Sequence, residues 1–354
     1  MRLQLIVAIA TVIPRVAAAD TGFTSKLQVY TDSDHTQVVS PVVEAQSDLA
    51  PGTSVSLGYL ADVVSSASVD IVSQASPTTI HDTRHQVSAG ASHQLGLANV
   101  HLGYTYSKEN DYLSHGLGAS VAVELFDKNT TLSFGYGLAL NSVGRAEDLN
   151  FSRALTVNTV SASWTQTVSP RLATQVTYEL AHADGFQASP YRFVPVRAMP
   201  DAAPEYWVAE TDPEVRWRHA IVLGANRAVG VDSSVQADYR LYHDTWGITS
   251  HTLGARYFVN VTPHLELRLR ERFYTQGAAS FYESSYASAA KYITFDRELS
   301  PLWSETLGGK LTYGFTRHVE GELKVDAFYY SYSDFRPLAS RTGANVGLGV
   351  SLTY

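Results

Sequence analysis

Asn345-Val346-Gly347-Leu348-Gly349-Val350-Ser351-Leu352-Thr353-Tyr354 closes the chain. Successive side chains of an extended strand point to opposite faces. Val346, Leu348, Val350, Leu352 and Tyr354 therefore share one face, and Asn345, Gly347, Gly349, Ser351 and Thr353 the other. About ten residues of such alternation are what one tilted strand needs to cross the hydrocarbon of a bilayer. A large apolar face against a small polar one suits a wall with lipid on one side and water on the other.

The pattern recurs upstream. Leu172, Thr174, Val176, Tyr178 and Leu180 oppose Ala173, Gln175, Thr177 and Glu179, while Leu132, Phe134, Tyr136, Leu138 and Leu140 oppose Ser133, Gly135, Gly137 and Asn141. Leu253, Ala255, Tyr257, Val259 and Val261 oppose Thr252, Gly254, Arg256 and Asn260, with Phe258 a large apolar exception. In 154–168 the apolar phase slips near Val160, which predicts a bulge there. After residue 19 no apolar run reaches the roughly 18 residues of a membrane helix.

Short turns are expected at Ala50-Pro51-Gly52, Leu95 to Ala98, Asp127 to Thr130, Ser169-Pro170-Arg171, Gly230 to Asp232, Thr262-Pro263-His264 and Thr316 to His318. Longer irregular segments fall between them, near 65–83, 108–115, 141–153, 184–215, 276–303 and 331–342. Short turns at one end and long loops at the other are the outer-membrane asymmetry, periplasmic and extracellular respectively. With an opening pair around Asp32-Ser33-Asp34, the turns predict an all-β, antiparallel transmembrane β-barrel of about 16 strands, roughly 14 to 18 being compatible with the spacing.

Residues 1–19 read as a secretory signal peptide, leaving 20–354 as the barrel. Arg2 precedes the apolar run Leu3 to Ile13, Pro14 breaks it, and Ala17-Ala18-Ala19 supplies the small residues of a cleavage site. Cleavage also removes Arg15, so the net charge of −8 becomes two units more negative. An acidic chain is a poor fit to nucleic acid. The absence of cysteine excludes thiol catalysis, thiolate metal sites and a lipidated N-terminus. Tyrosines outnumber phenylalanines and tryptophans together, 21 against 13 and 5, and many lie near predicted strand ends, as in an interfacial girdle. These features place the protein in the bacterial outer membrane, in contact with its lipid. Tyr354, with apolar residues at each second place before it, matches the terminal signal that the barrel-assembly machinery recognises.

Two stretches carry a family resemblance. Tyr59-Leu60-Ala61-Asp62-Val63-Val64-Ser65-Ser66-Ala67-Ser68-Val69-Asp70-Ile71-Val72, with Ala75-Ser76-Pro77 after it, is one, and Tyr104-Thr105-Tyr106-Ser107-Lys108-Glu109-Asn110-Asp111-Tyr112-Leu113-Ser114 is the other. Together they resemble an uncharacterised family of outer-membrane barrels of Gram-negative bacteria, known only as a domain of unknown function. The resemblance implies the fold and compartment and no activity.

Candidate chemistry comes in three groups. Asp62, Asp70, Glu109 and Asp111 form an acidic cluster at the outer rim, which either orders the loops or offers oxygen ligands to a hard cation, although the spacing matches no calcium loop. His81, Asp82, His85, Ser92 and His93, and the pair His243-Asp244, raise a hydrolase, but no Gly-x-Ser-x-Gly elbow is present and neighbours along a strand face apart. The third group is the inward charge. The alternation puts Arg240, Arg256, Arg268, Arg270 and Arg272 inside, then Lys310, Glu320, Glu322, Lys324 and Asp326, with Arg216 and Arg218 near the rim. Two readings fit: a water-filled pore whose basic and acidic stripes act on small polar solutes, or a salt-bridge network that fills the lumen. A porin-like passive channel leads. A surface barrel binding an outside partner through its long loops comes second and a hydrolase third. No cofactor is implied.

Overall fold

The computed structural model describes residues 21–66, 80–146 and 148–354. The expected signal segment 1–19, Asp70 and the Ala75-Ser76-Pro77 stretch lie outside the described residues. The chain runs through β1 (Gly22–Asp32), β2 (Thr36–Ala50), β3 (Thr53–Ser66), β4 (Ile80–Leu95), β5 (Ala98–Lys108) and β6 (Tyr112–Leu125). It continues through β7 (Thr130–Val143), β8 (Arg153–Ser169) and β9 (Leu172–Gly185) to a small hairpin, β10 (Phe193–Val196) with β11 (Tyr206–Ala209). Then follow β12 (Val215–Ala228), β13 (Ser233–Asp244), β14 (Thr249–Thr262), β15 (Leu265–Gln276), β16 (Leu302–Thr316), β17 (Val319–Tyr332) and β18 (Ser340–Thr353).

All strands but the small hairpin join one closed antiparallel barrel of 16, in chain order, sealed by β1 against β18. Closure leaves no unpaired sheet edge, which matters wherever water is absent from the outer surface. Val346 pairs with Val29, Leu348 with Leu27 and Leu352 with Phe23, so the terminal strand closes with apolar residues in register. The backbone amide of Tyr354 donates to the Thr21 carbonyl at 2.9 Å, so both ends of the described chain meet at one rim.

That rim carries the seven short turns that the sequence predicts, between β2 and β3, β4 and β5, β6 and β7, β8 and β9, β12 and β13, β14 and β15, and β16 and β17. The opposite rim carries the long segments and the tight turn at Asp32 to Thr36. There Asp32 Oδ1 accepts from the amides of Asp34 and Thr36 at 3.0 Å, and His35 takes a left-handed φ of 58°.

Outward positions are apolar and exposed, such as Leu57, Leu102, Leu117, Phe134, Leu253, Leu307 and Leu348. Inward positions are glycine, serine, threonine and charge. The phase slip near Val160 is not a bulge, since β8 runs in unbroken register past it with both neighbours. Val160 points out, and Leu155 and Val157 point in near the long-loop rim, where the inward face turns apolar. The irregularity of β8 lies at Thr167/Ser169 instead.

Candidate functional site: a capped, charged lumen

The segments 186–214 and 277–301 fold together. The Arg197 amide donates to the Tyr286 carbonyl at 2.9 Å, and Thr211 and Ile293 exchange amide–carbonyl bonds of 3.0 and 2.9 Å. Around these links Val194, Val196, Tyr286, Ile293, Phe295, Leu302, Tyr332 and Phe335 bury one apolar cluster. Trp246, Ile248, Ala279, Tyr282 and Leu299 bury a second. Such clusters exclude water from the ion pairs beside them.

Three arginines are buried among those clusters, each with a carboxylate. Arg192 pairs with Glu210 at 3.0 Å and Asp296 at 3.1 Å. Arg297 pairs with Asp34 of the β1–β2 turn. Arg216 pairs with Asp244, its Nε at 2.9 Å, and lies 4.0 Å from the centre of the Trp246 ring. Glu210 also accepts from Thr294 Oγ1 at 2.6 Å and the Phe295 amide at 3.2 Å. Its neighbour Asp212 is buried beside Glu210 and Asp296. Burial first, then those two carboxylates, push its pKa up to about 8.

These contacts carry the two segments across the mouth. Tyr191 donates to Asp111 in the β5–β6 turn, Arg145 Nε donates to the Pro190 carbonyl at 3.1 Å, and Arg336 pairs with Asp201 at 2.6 Å. The β5–β6 turn and the β15–β16 segment stand half the ring apart in the strand order. The cap also reaches down into the barrel. Tyr242 and Tyr274, inward on β13 and β15, pack against its clusters, and Ser250, Ser304 and Thr306 nearby are buried.

Below the cap the wall is charged and accessible. Arg256 keeps 41% of its side-chain surface exposed while pairing with Asp238 at 3.2 Å, and Arg240 keeps 35% while meeting Glu179 at 3.5 Å. Glu322 lies between Lys26 at 3.1 Å and Lys310 at 2.9 Å, and Asp326 between Arg270 and Lys324, both at 3.0 Å. The two signs interleave here rather than forming separate stripes. Arg272 lies over the Tyr274 ring at 5.3 Å, and Glu320 is exposed near the short-turn rim. Arg268, Lys310 and Lys324 stand directly opposite one another on three consecutive strands. Among the described residues no carboxylate pairs with Arg268.

Glycines let these side chains reach over the backbone. A Cβ on Gly308 would collide with the Asp326 carboxylate, and one on Gly349 would sit 2.7 Å from Glu322 Cγ. Sequence alternation marked Gly349 only as a small residue on the polar face. The buried pairs Arg192–Glu210 and Arg297–Asp34 had no sequence signal, because their partners are far apart in the chain.

The acidic cluster assembles differently from the sequence expectation. Glu109 and Asp111 join Asp82, with one oxygen of each within 4.8 Å of the others. Burial, then the nearby Asp82, push Glu109 up to about 7. Asp62 faces inward on β3 and is held instead by Arg84 at 2.5 Å and by Ser40, because Arg84 lies opposite it in the register. The hydrolase candidates disperse. Ser92 meets His101 Nδ1 at 2.9 Å, His93 meets Thr53 and His85 meets Tyr59, both at 2.8 Å. His243 turns out to Thr249 at 2.9 Å while Asp244 turns in to Arg216.

Solved structures share the architecture at low identity. A bacterial polysaccharide outer membrane secretin is 9% identical with a TM-score of 0.53, covering 94% of this chain and 98% of its own. The siderophore receptor PirA from Pseudomonas aeruginosa is 9% identical with a TM-score of 0.49, covering 93% of this chain, which spans 61% of the receptor's length. The CymD monoaromatic hydrocarbon channel is 8% identical with a TM-score of 0.47, covering 94% of this chain and 88% of its own. The likeness shows the fold of outer-membrane barrels and nothing finer. No curated protein matches the chain. The family described as "Protein of unknown function (DUF3570)" matches residues 68–159 and 147–352. The chain belongs to that family, and its barrel has the outer-membrane fold.

Proposed function

We propose that the protein is an outer-membrane channel for small polar solutes, anions preferred, whose long loops form a cap that constricts its mouth. In this reading residues 1–19 direct export, the short-turn rim and both termini face the periplasm, and the cap faces outward. The barrel-assembly machinery takes up the strand ending in Tyr354, and outer-membrane lipid surrounds the apolar outer face.

The observation that carries the reading is the row Arg268–Lys310–Lys324. Like charges directly opposite in a sheet destabilise it; Glu322 and Asp326 balance Lys310 and Lys324, so the cation of the row left without a carboxylate among the described residues is Arg268. An uncompensated cation on a wet wall raises the local concentration of anions. A barrel of 16 strands is wide enough for an aqueous lumen. The exposure of Arg256 and Arg240 fits such a lumen.

The density of the cap favours a second reading, a surface barrel whose cap binds an external partner and admits little. Solute flux separates the two. Vesicles loaded with the protein should release small anions faster than cations of equal size. Cap-intact protein that releases neither, in vesicles where it is fully folded, would put the second reading first.

A further inference from the structure

The outer surface near the long-loop rim carries a repeated pair that none of the lumen chemistry uses. Tyr59 with His85, Tyr104 with His115 and Tyr178 with His219 each join phenol oxygen to Nδ1 at 2.8 Å, and Tyr239 with His251 at 2.7 Å. In each, the histidine sits on the following barrel strand, two places rimward of the residue opposite the tyrosine. All four imidazoles are exposed. In the tautomer that accepts the phenol proton at Nδ1, the ring proton sits on Nε2 and each ring offers a donor away from the pair.

On β4, β5 and β6 this pattern becomes a basic patch. Lys108 points outward directly opposite His85, and His115 is opposite Tyr106, two residues before the lysine. The Tyr106 ring meets His115 edge-on at 5.3 Å. Lys108 is exposed and pairs with no carboxylate among the described residues. The acids that follow it, Glu109 and Asp111, gather around Asp82 instead. The His219 and His251 pairs lack such a cation, since Leu180 and His243 oppose His219, and Leu241 and Thr275 oppose His251.

A second feature lies beneath the patch. Ala89, Ala91 and Ala119 leave a shallow apolar groove between Leu102 and Leu117, reaching up to Tyr104. Small side chains flanked by large ones on a lipid-facing wall fit a hydrocarbon chain. Lys108 and the two imidazoles stand at the upper end of that groove, just rimward of the apolar band. That is the height of the interface, where headgroup phosphates lie and basic side chains attract them.

We propose that Lys108, His85 and His115 seat the phosphate of an outer-leaflet lipid, with an acyl chain in the groove below. The proposal rests on the outer-membrane orientation given above but not on conduction, so solute flux and lipid binding fail independently.

Native mass spectrometry of the full mature chain, released from detergent, tests it with bis-phosphorylated lipid A and the same lipid dephosphorylated. The phosphorylated form should be retained at least about fivefold better. Lys108→Glu with His85→Gln and His115→Gln should erase that preference, while His219→Gln with His251→Gln keeps it. Heat-modifiable migration checks that each variant is folded. An unchanged preference in the folded triple variant, or equal retention of both lipids by the parent, would overturn the seat. Loss of retention in millimolar inorganic phosphate would also overturn it, assigning the patch to a soluble anion.

Discussion

Arg270 Nε lies 3.0 Å from Asp326 Oδ1, and the pair forms across the bare backbone of Gly308 on the strand between them. Asp326 is nearly buried, while Arg270 keeps 30% of its side-chain surface open to the lumen. A side chain at position 308 forces the carboxylate away from its partner.

Gly308→Ala should therefore lower stability by about 1–3 kcal/mol, the scale for leaving a buried charge-assisted contact unmade. Asp326→Asn should have a similar effect, and the double variant should cost little more than either alone. Urea unfolding in micelles measures all three. Additive losses would mean that Gly308 serves something other than this pair. By the same logic Gly349→Ser should displace Glu322 from Lys26 and Lys310 rather than be silent.

The terminal strand supplies a test of facing. Leu348, outward in the middle of β18, should cost roughly 2–4 kcal/mol as arginine, and Val350, closer to the short-turn rim, distinctly less. Tyr354→Ser should leave the barrel's fold unchanged once formed but lower the heat-modifiable fraction in cells. Equal costs at 348 and 350 would contradict the placement of the apolar band.

How much of this was legible beforehand follows from the kind of interaction involved. Strands, turns and facing depend on local rules, so Pro51-Gly52, Pro170, Pro263 and the alternation ending at Tyr354 announced the barrel. Phase alone misjudged 154–168, where Leu155 and Val157 face inward near the long-loop rim. The cap was illegible because Val194, Ile293 and Phe335 come from irregular segments with no periodicity to read. Asp82 could not be grouped with Glu109 and Asp111 until β4 and β5 were paired at known register. The outward histidines were within reach of the alternation, but their shared diagonal with tyrosine needs the register of each hairpin.

Acidity should tighten the cap. Asp212 titrates at 3.8 in an ordinary setting and is pushed up to about 8 by burial and its neighbours Glu210 and Asp296, against the pull of Arg192 and Arg216. The folded cap then holds a proton that the opened cap releases. That contribution is complete below about pH 4 and is lost as pH rises towards 8. Protease cutting within 187–214 should increase over that window, and Asp212→Asn should flatten the dependence and protect the cap at pH 8.5. A variant that cuts with the parent's pH profile would remove Asp212 from the latch.

Arg297→Met removes the buried cation that faces Asp34 and should cost the cap about 3–5 kcal/mol, the penalty for breaking a buried ion pair from one side. Faster cutting of 277–301 with the barrel still heat-modifiable is the expected result. Loss of the whole barrel would show that cap and wall fold as one unit.

Single-channel recording in a planar bilayer at low salt goes most directly to the capped, anion-favouring pore. Arg297→Met should open longer or larger conductances than the parent, with the reversal potential of an anion-selective channel. Arg268→Glu with Lys310→Glu in the same background should move that potential towards cations, most strongly below 0.1 M salt, where screening extends over about 10 Å or more. Correctly folded protein that conducts neither with the cap latched nor with it broken would contradict the pore, and conductance indifferent to the charge reversal would contradict the role of the cationic row.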